Sequence, residues 1–494
     1  MLGRTDPHQA DANSVSVAAR VMRTLNATFL LLLPGLLLGG DHRVSSTPPA
    51  PLADGSRLAP EPTPSRIAPP PVEQLERPAK VVREGSPVIL ARVQTRTLAF
   101  VCDTDAGRVH VVDVDAAKEI SFVPVGGAGS AVLLPDGRVA VASRLEDAIV
   151  ILALGTDDTL RIERTWKTGR EPSSIALTPD DRTLLVGAAG DDRLEVFDAS
   201  SGARTLTVAL GQSPSAVASD PTSRHALVAS TTASTVALVD LGSGAVKKTN
   251  LDTDGEEVEL LRVEMLSDHD WVPAYGKFTS ARIAQQSQTL VRARHASALG
   301  VVNEVAYIAH ELVVPDAQPT QMFGDTEPVG YGGAESMSSS EYLGVSILES
   351  GTGRRISFHP ADKRCRLPRG QVFDASRKQL LVACAGTNNL VALAWSSNVE
   401  RHSDTYTTRR PPSYRTVRSC SLPGPGDGVA LDAERSRVLV STLFGSSLSI
   451  CRLEGGAKAK PPVSVVQLSR GEPLSSSAEA STAAFTRGRA LFYR

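Results

Sequence analysis

The chain has 494 residues, a formal net charge of −2, 41% apolar and 21% charged residues. That near-neutral balance gives no electrostatic case for nucleic acid or an anionic membrane surface, while the apolar fraction suffices for a packed core. Aromatics are only 4%, so Val, Leu and Ala must do most of the packing.

In chain order, residues 1–40 read as a signal peptide or anchor. Thr24–Leu38 is an apolar run of signal length, too short and too interrupted by Pro and Gly for a comfortable span. Arg20 and Arg23 precede it, and Met22 is a plausible start. Asp41 stands where a lipoprotein would need Cys, so acylation there is excluded. The expectation is export, to the periplasm or the cell surface, with membrane contact only through this segment if it is uncleaved. Residues 41–79 form a Pro-rich linker (PPAPL, PEPTP, PPPVEQLERP), which favours extended, solvated backbone.

From residue 80 to 470 a unit of about forty residues recurs. Gly126–Ser143, Gly169–Ala188 and Gly211–Ser230 are clear copies, each followed by a polar turn and an apolar strand: Ile149–Leu154, Leu194–Ser200 and Val236–Gly242. Arg138, Arg182 and Arg224 hold equivalent places, 44 and 42 residues apart. Five- to seven-residue apolar runs broken by Pro-Asp-Gly, Gly-Asp-Asp and Ser-Ser-Gly have strand length and turn chemistry. Weaker copies at Ser86–Asp115, Arg294–Val314, Leu367–Trp395 and Leu422–Leu453 bring the count to seven. The expected fold is all-β, a seven-bladed β-propeller of four-stranded antiparallel blades, because stacked blades hide sheet faces that none hides alone. Lys80–Val82 and Val463–Leu468 both qualify as the strand that completes the last blade, and the choice stays open.

Insertions interrupt the period near 249–292 and 315–342. The second carries Met322, Phe323, Tyr331, Met337 and Tyr342 among Gly, Ser and Thr, a composition suited to a partner-binding loop. Asp268, His269 and Asp270 are consecutive, so they cannot easily converge on one ion. His295 and His310 flank the strand before Glu311; a hairpin at Asn303-Glu304 would bring them together as a polar pair. No nucleophile elbow, P-loop or dinucleotide fingerprint is present, so no catalytic residue is assigned. Of the five cysteines, Cys365–Cys384 and Cys420–Cys451 are conceivable bridges within blades, with buried free thiols the alternative. No Cys-x-x-Cys-His occurs, so no metal or haem site is expected in this chain.

The pattern G-x-x-P-x-x-[IV]-A-x-x-P-D-x-R-x-L-x-V-[AG] resembles the YVTN-type propeller repeats of bacterial surface and periplasmic proteins, over about Lys80 to Leu468. That resemblance implies a seven-bladed ring and export, and no single activity. Within residues 471–494, Arg487–Tyr493 (RGRALFY) is similar to the start of the first haem domain of di-haem cytochrome c peroxidases. It implies that the chain is the propeller half of a truncated fusion, with haem only if a further C-terminal domain follows. The functional expectation is a non-catalytic binding or scaffold module for a protein partner or haem domain. The alternative is a lactonase-like hydrolase with its site at the channel mouth, and a third possibility is an envelope scaffold.

Overall fold

The computed structural model describes residues 83–252, 292–313, 341–361, 364–396, 399–403, 406–410, 413–453 and 463–469. They form an all-β, seven-bladed propeller of four-stranded antiparallel blades. The innermost strands are Val88–Val93, Ala128–Leu133, Pro172–Leu177, Pro214–Ser219, Arg292–Val302, Pro368–Asp374 and Gly426–Asp432. Each opens one blade, numbered 1 to 7 in that order, and packs on its neighbours around a central channel.

The burial pattern explains the architecture. Second and third strands are buried on both faces, as in Arg96–Asp103 and Thr183–Ala188. They pack between blades and therefore read as continuous apolar runs. Fourth strands face water on their outer side, and Leu160–Lys167 is exposed at all but two positions, Leu160 and Trp166, with the sequence LRIERTWK. Apolar seams fill every gap between blades. Leu98, Phe100, Val141 and Leu152 join blades 1 and 2, and Val88, Val101, Leu439, Leu448 and Val466 join blades 7 and 1. Fully burying each such side chain contributes about 1.5–3 kcal/mol.

The ring closes without a shared blade. Val463–Gln467 pairs with Ser447–Arg452 and is the fourth strand of blade 7. Arg435 and Arg437 of blade 7 meet Asp115 of blade 1 at 2.8 and 2.9 Å. Glu119 of blade 1 accepts hydrogen bonds from Ser469 N and Oγ, both 2.8 Å, and contacts His110 Nδ1 at 2.8 Å.

Two cysteine pairs are bridged. Cys365–Cys384 ties the opening turn of blade 6 to the end of its second strand. Cys420–Cys451 runs from the fourth strand of blade 6 to the third strand of blade 7, so it joins two blades rather than lying within one. Cys420 reads as a blade start in sequence, but it ends the preceding blade. Cys102 is free and buried.

The insertion points are also specific. The chain leaves the described residues at Asp252, between blades 4 and 5, and at Val313, between the second and third strands of blade 5. Antiparallel alternation puts both departures on the face where the blades open. A hairpin unanticipated from the sequence, Val399–Ser403 with Tyr406–Arg410, sits between the third and fourth strands of blade 6, on the opposite face. No helix among the described residues is long and apolar enough to cross a membrane.

Candidate functional site at the channel mouth

Blades 2 to 7 each open with a bulge in the inner strand, preceded in blades 2, 3, 5 and 6 by a tight turn with one left-handed residue. Gly127, Glu171, His295 and Leu367 hold the same turn position with φ of 64°, 50°, 52° and 49°. This is a left-handed conformation that costs a non-glycine residue about 1 kcal/mol or more. Register shifts then leave one extra residue beside the channel, between Ala128 and Ser130, Pro172 and Ser174, and Pro368 and Gly370, for example. The bulged residues are Gly129, Ser173, Ser215, Ser297, Arg369 and Asp427 for blades 2 to 7, and all line the channel.

The serines link blades. Ser173 Oγ donates to Pro214 O at 2.7 Å, Ser215 Oγ to Ala296 O at 3.0 Å and Ser297 Oγ to Pro368 O at 2.7 Å. Between blades 6 and 7 the belt is ionic instead, with Arg369 Nε 3.5 Å from Asp427 Oδ1. Burial pushes the Asp427 carboxyl up; Arg369 pulls it back, Asp105 adds to the rise and Arg144 opposes it. The channel, open to solvent, has a volume of about 810 Å³, within the range of small-molecule sites. Its charged lining is Arg144, Arg369 and Asp427 at the mouth and Glu84 on the segment that threads it.

Beside Arg369 lies an acid–imidazole contact. His295 Nε2 is 3.8 Å from Glu311 Oε2, and the Glu311 side chain is only 3% exposed. Burial raises Glu311, opposed by Arg366 and by a hydrogen bond from the Leu367 amide. Burial lowers His295, and Arg369 and Arg294 add to that. The shifts oppose joint ionisation, so this is a close approach of two polar groups rather than a firm ion pair. Glu311 Oε1 has no hydrogen-bond partner.

The other expected residues fall elsewhere. Val302–Val305 does form the hairpin turn, with Asn303 at φ 55°, but His310 does not join His295. Successive strand residues face opposite sides, and His310 points into the blade interior, with Nε2 2.9 Å from Ser346 Oγ. Burial holds it neutral, with its pKa lowered to about 4. Tyr342 lies in the third strand of blade 5. Met322, Phe323, Tyr331 and Met337, the triplet Asp268–Asp270, the apolar run Thr24–Leu38 and the tail Arg487–Tyr493 lie outside the described residues. Among the described residues no three His, Cys, Asp or Glu side chains form a metal-holding group. Sequence reading missed Glu84, Arg144, Arg369 and Asp427. A charged residue at a position that is Gly or Ser in four other blades was the available signal for Arg369 and Asp427.

A family model described as "Lactonase, 7-bladed beta-propeller" matches residues 99–219, from the second strand of blade 1 to the first strand of blade 4. No curated protein matches the chain. Among solved structures, hydrazine synthase of Kuenenia stuttgartiensis is similar, with 15% identity and a TM-score of 0.47 over 72% of this chain and 92% of that one. A functionally unknown protein from Desulfotomaculum acetoxidans DSM 771 is 10% identical, with a TM-score of 0.47 over 75% of this chain and 99% of that one. Virginiamycin B lyase from Staphylococcus aureus is 9% identical, with a TM-score of 0.41 over 73% of this chain and 92% of that one.

Proposed function

We propose that this chain is an exported, non-catalytic propeller that binds a ligand or partner on the face carrying the channel mouth. The observation that carries this is convergence. Arg144, Arg369 and Asp427 line the channel at one end, the His295–Glu311 contact lies beside Arg369, and the chain departs into both long insertions from that same face. Charged groups that are partly desolvated and converge at a cleft are candidate binding-site groups. Two disulfides support export to an oxidising compartment. A haem-domain partner rests on the resemblance of Arg487–Tyr493 alone.

Lactone hydrolysis at the same mouth is the second reading. It is favoured by the family match over residues 99–219 and by the His295–Glu311 contact. One experiment separates them. The purified chain is incubated with γ- and δ-lactones and the corresponding hydroxy acids, following proton release and thermal stability together. The binding reading expects thermal shifts that shrink in Arg369→Ala, with no turnover. Turnover lost in Glu311→Gln would replace it with the hydrolase.

A further inference from the structure

The channel is not empty of its own chain. Arg83 and Glu84 form a short strand inside it, paired antiparallel with Leu177 and Ala176 of blade 3. Gly85 N donates to Ile175 O at 2.9 Å. Ser86 exchanges two backbone bonds with Ala131 of blade 2, at 3.1 and 2.9 Å. Its hydroxyl donates to Val429 O of blade 7 at 3.2 Å. Glu84 reaches across to blade 5, where the Val301 amide donates to Oε1. Four consecutive residues thus hold the inner strands of four different blades.

The fit is close. A Cβ on Gly85 would stand 2.1 Å from Ile175 O, so only glycine passes there. Gly300 leaves room for the carboxyl, since a Cβ on it would lie 2.9 Å from Glu84 Oε2 and 3.3 Å from the Gln371 amide nitrogen. Among the described residues, the groups packed against Glu84 and Gly85 do not ionise: Ser130, Ile175, Gly300, Val301 and Gln371. The Gln371 amide is itself committed to Tyr307 O and Ala309 N. Arg144, Arg369 and Asp427 belong to the mouth.

We propose that the channel is a binding groove for the chain's own residues 83–87, and that Glu84 makes their docking weaken as pH rises. The direction follows from solvation. Burial in the channel raises the Glu84 carboxyl to about 8, against the opposing effect of the Val301 hydrogen bond, from an ordinary value of 4.5. Docking therefore takes up a proton between those values. The docked population, relative to undocked, falls by about tenfold per pH unit across that window and is flat outside it. Undocking would leave the channel open from the face opposite the charged mouth.

Hydrogen exchange on the full chain tests this, reading the Ala131 and Val301 amides at pH 5.5 and 8, each corrected for intrinsic exchange. In the wild type, protection at both amides falls at least tenfold between the two pH values. E84Q keeps the acceptor for Val301 without a titrating group, so its protection stays level. G85A removes protection at both pH values, while the strand Thr183–Ala188 reports that the ring is intact. Equal pH responses in wild type and E84Q overturn the proposal. So does a folded G85A with wild-type protection. If G85A fails to fold, the comparison with E84Q decides alone.

Discussion

Removing the bridge between blades 6 and 7 should destabilise the protein more than removing the bridge inside blade 6. Cys420–Cys451 closes a loop of 31 residues and Cys365–Cys384 one of 19. Loop entropy lost by the unfolded chain corresponds to about 3.7 and about 3.2 kcal/mol respectively. The inter-blade bridge also has a second role. The seventh blade takes all four strands from the C-terminal part of the described chain, so no N-terminal strand clasps it. It is held on the blade 6 side by the disulfide together with an apolar seam that includes Leu381, Val429 and Val438, and on the other side by the seam with blade 1 and the Asp115 contacts. Loss of Cys420–Cys451 should therefore weaken the hold of blade 6 on blade 7, leaving their apolar seam as the main tie, as well as relaxing the unfolded chain. The assay is equilibrium unfolding in guanidinium of C420S/C451S and C365S/C384S, with thiol titration alongside. In denaturant without reductant, a single thiol, Cys102, should react. An unchanged midpoint in C420S/C451S, or five reactive thiols in the unreduced protein, would refute the reasoning.

Three further outcomes are expected. His310 and His359 are buried and held neutral, with pKa values lowered to about 4 and about 3. The unfolded chain then binds protons that the folded one refuses, so unfolding free energy should fall on acidification below 6.5, by up to about 1.4 kcal/mol per pH unit for each histidine. H310Q should flatten that slope between pH 6.5 and 4.5. Asp115→Asn removes the acceptor shared by Arg435 and Arg437 and should cost about 1–2 kcal/mol in denaturant titration, below the buried-pair range because Asp115 is partly exposed. Burial alone would raise the Asp115 carboxyl, but the Thr97 amide and Arg437 outweigh it. Its stabilising effect is thus present above the ordinary carboxylate range, is lost as pH falls through the lowered value, and should be absent from the variant. Phe100→Ala empties part of the seam between blades 1 and 2 and should cost about 3–5 kcal/mol, read as a lower unfolding midpoint.

How much the sequence revealed depended on which faces a strand buries. Thr183–Ala188 is buried at every position but its first and reads as a strand from composition alone. Lys118–Pro124 and Val246–Asn250 show charged faces to water and carry no such signal. That is why three blades were plain and the ends of the others were not. Cys420 was misplaced for the same reason, since Ser413–Ser421 is a fourth strand and its polar sequence hides where blade 6 ends. The pairing of His310 with His295 failed on alternation. Glu311 and His310 are neighbours in sequence, but the pleat sends only Glu311 towards the mouth. Docking of residues 83–87 was illegible because it depends on backbone contacts to four strands that are distant in sequence.

Near-symmetry of the ring separates what the fold requires from what it merely carries. At the bulge position the fold is satisfied by Gly129 or by a serine that donates to the next blade. Arg369 and Asp427 occupy that position with a looser contact of 3.5 Å, and burial pushes the acid up. Buried charge elsewhere in the same ring is handled differently. Glu195 has a fully buried side chain, yet it meets Arg193 at 2.7 Å, Arg204 at 2.6 Å and the Gly169 amide at 2.8 Å. The sequence can therefore pair a buried carboxylate fully where structure alone is at stake. It leaves Glu84 and Asp427, which line the channel, and Glu311, beside the His295 contact near the mouth, raised by burial. A group whose charged form is poorly compensated costs stability in isolation and gains from whatever later supplies the missing partner. Among the described carboxylates these are the ones that burial raises, and their position along one axis makes the channel, rather than the outer strands, the place to test for ligand binding.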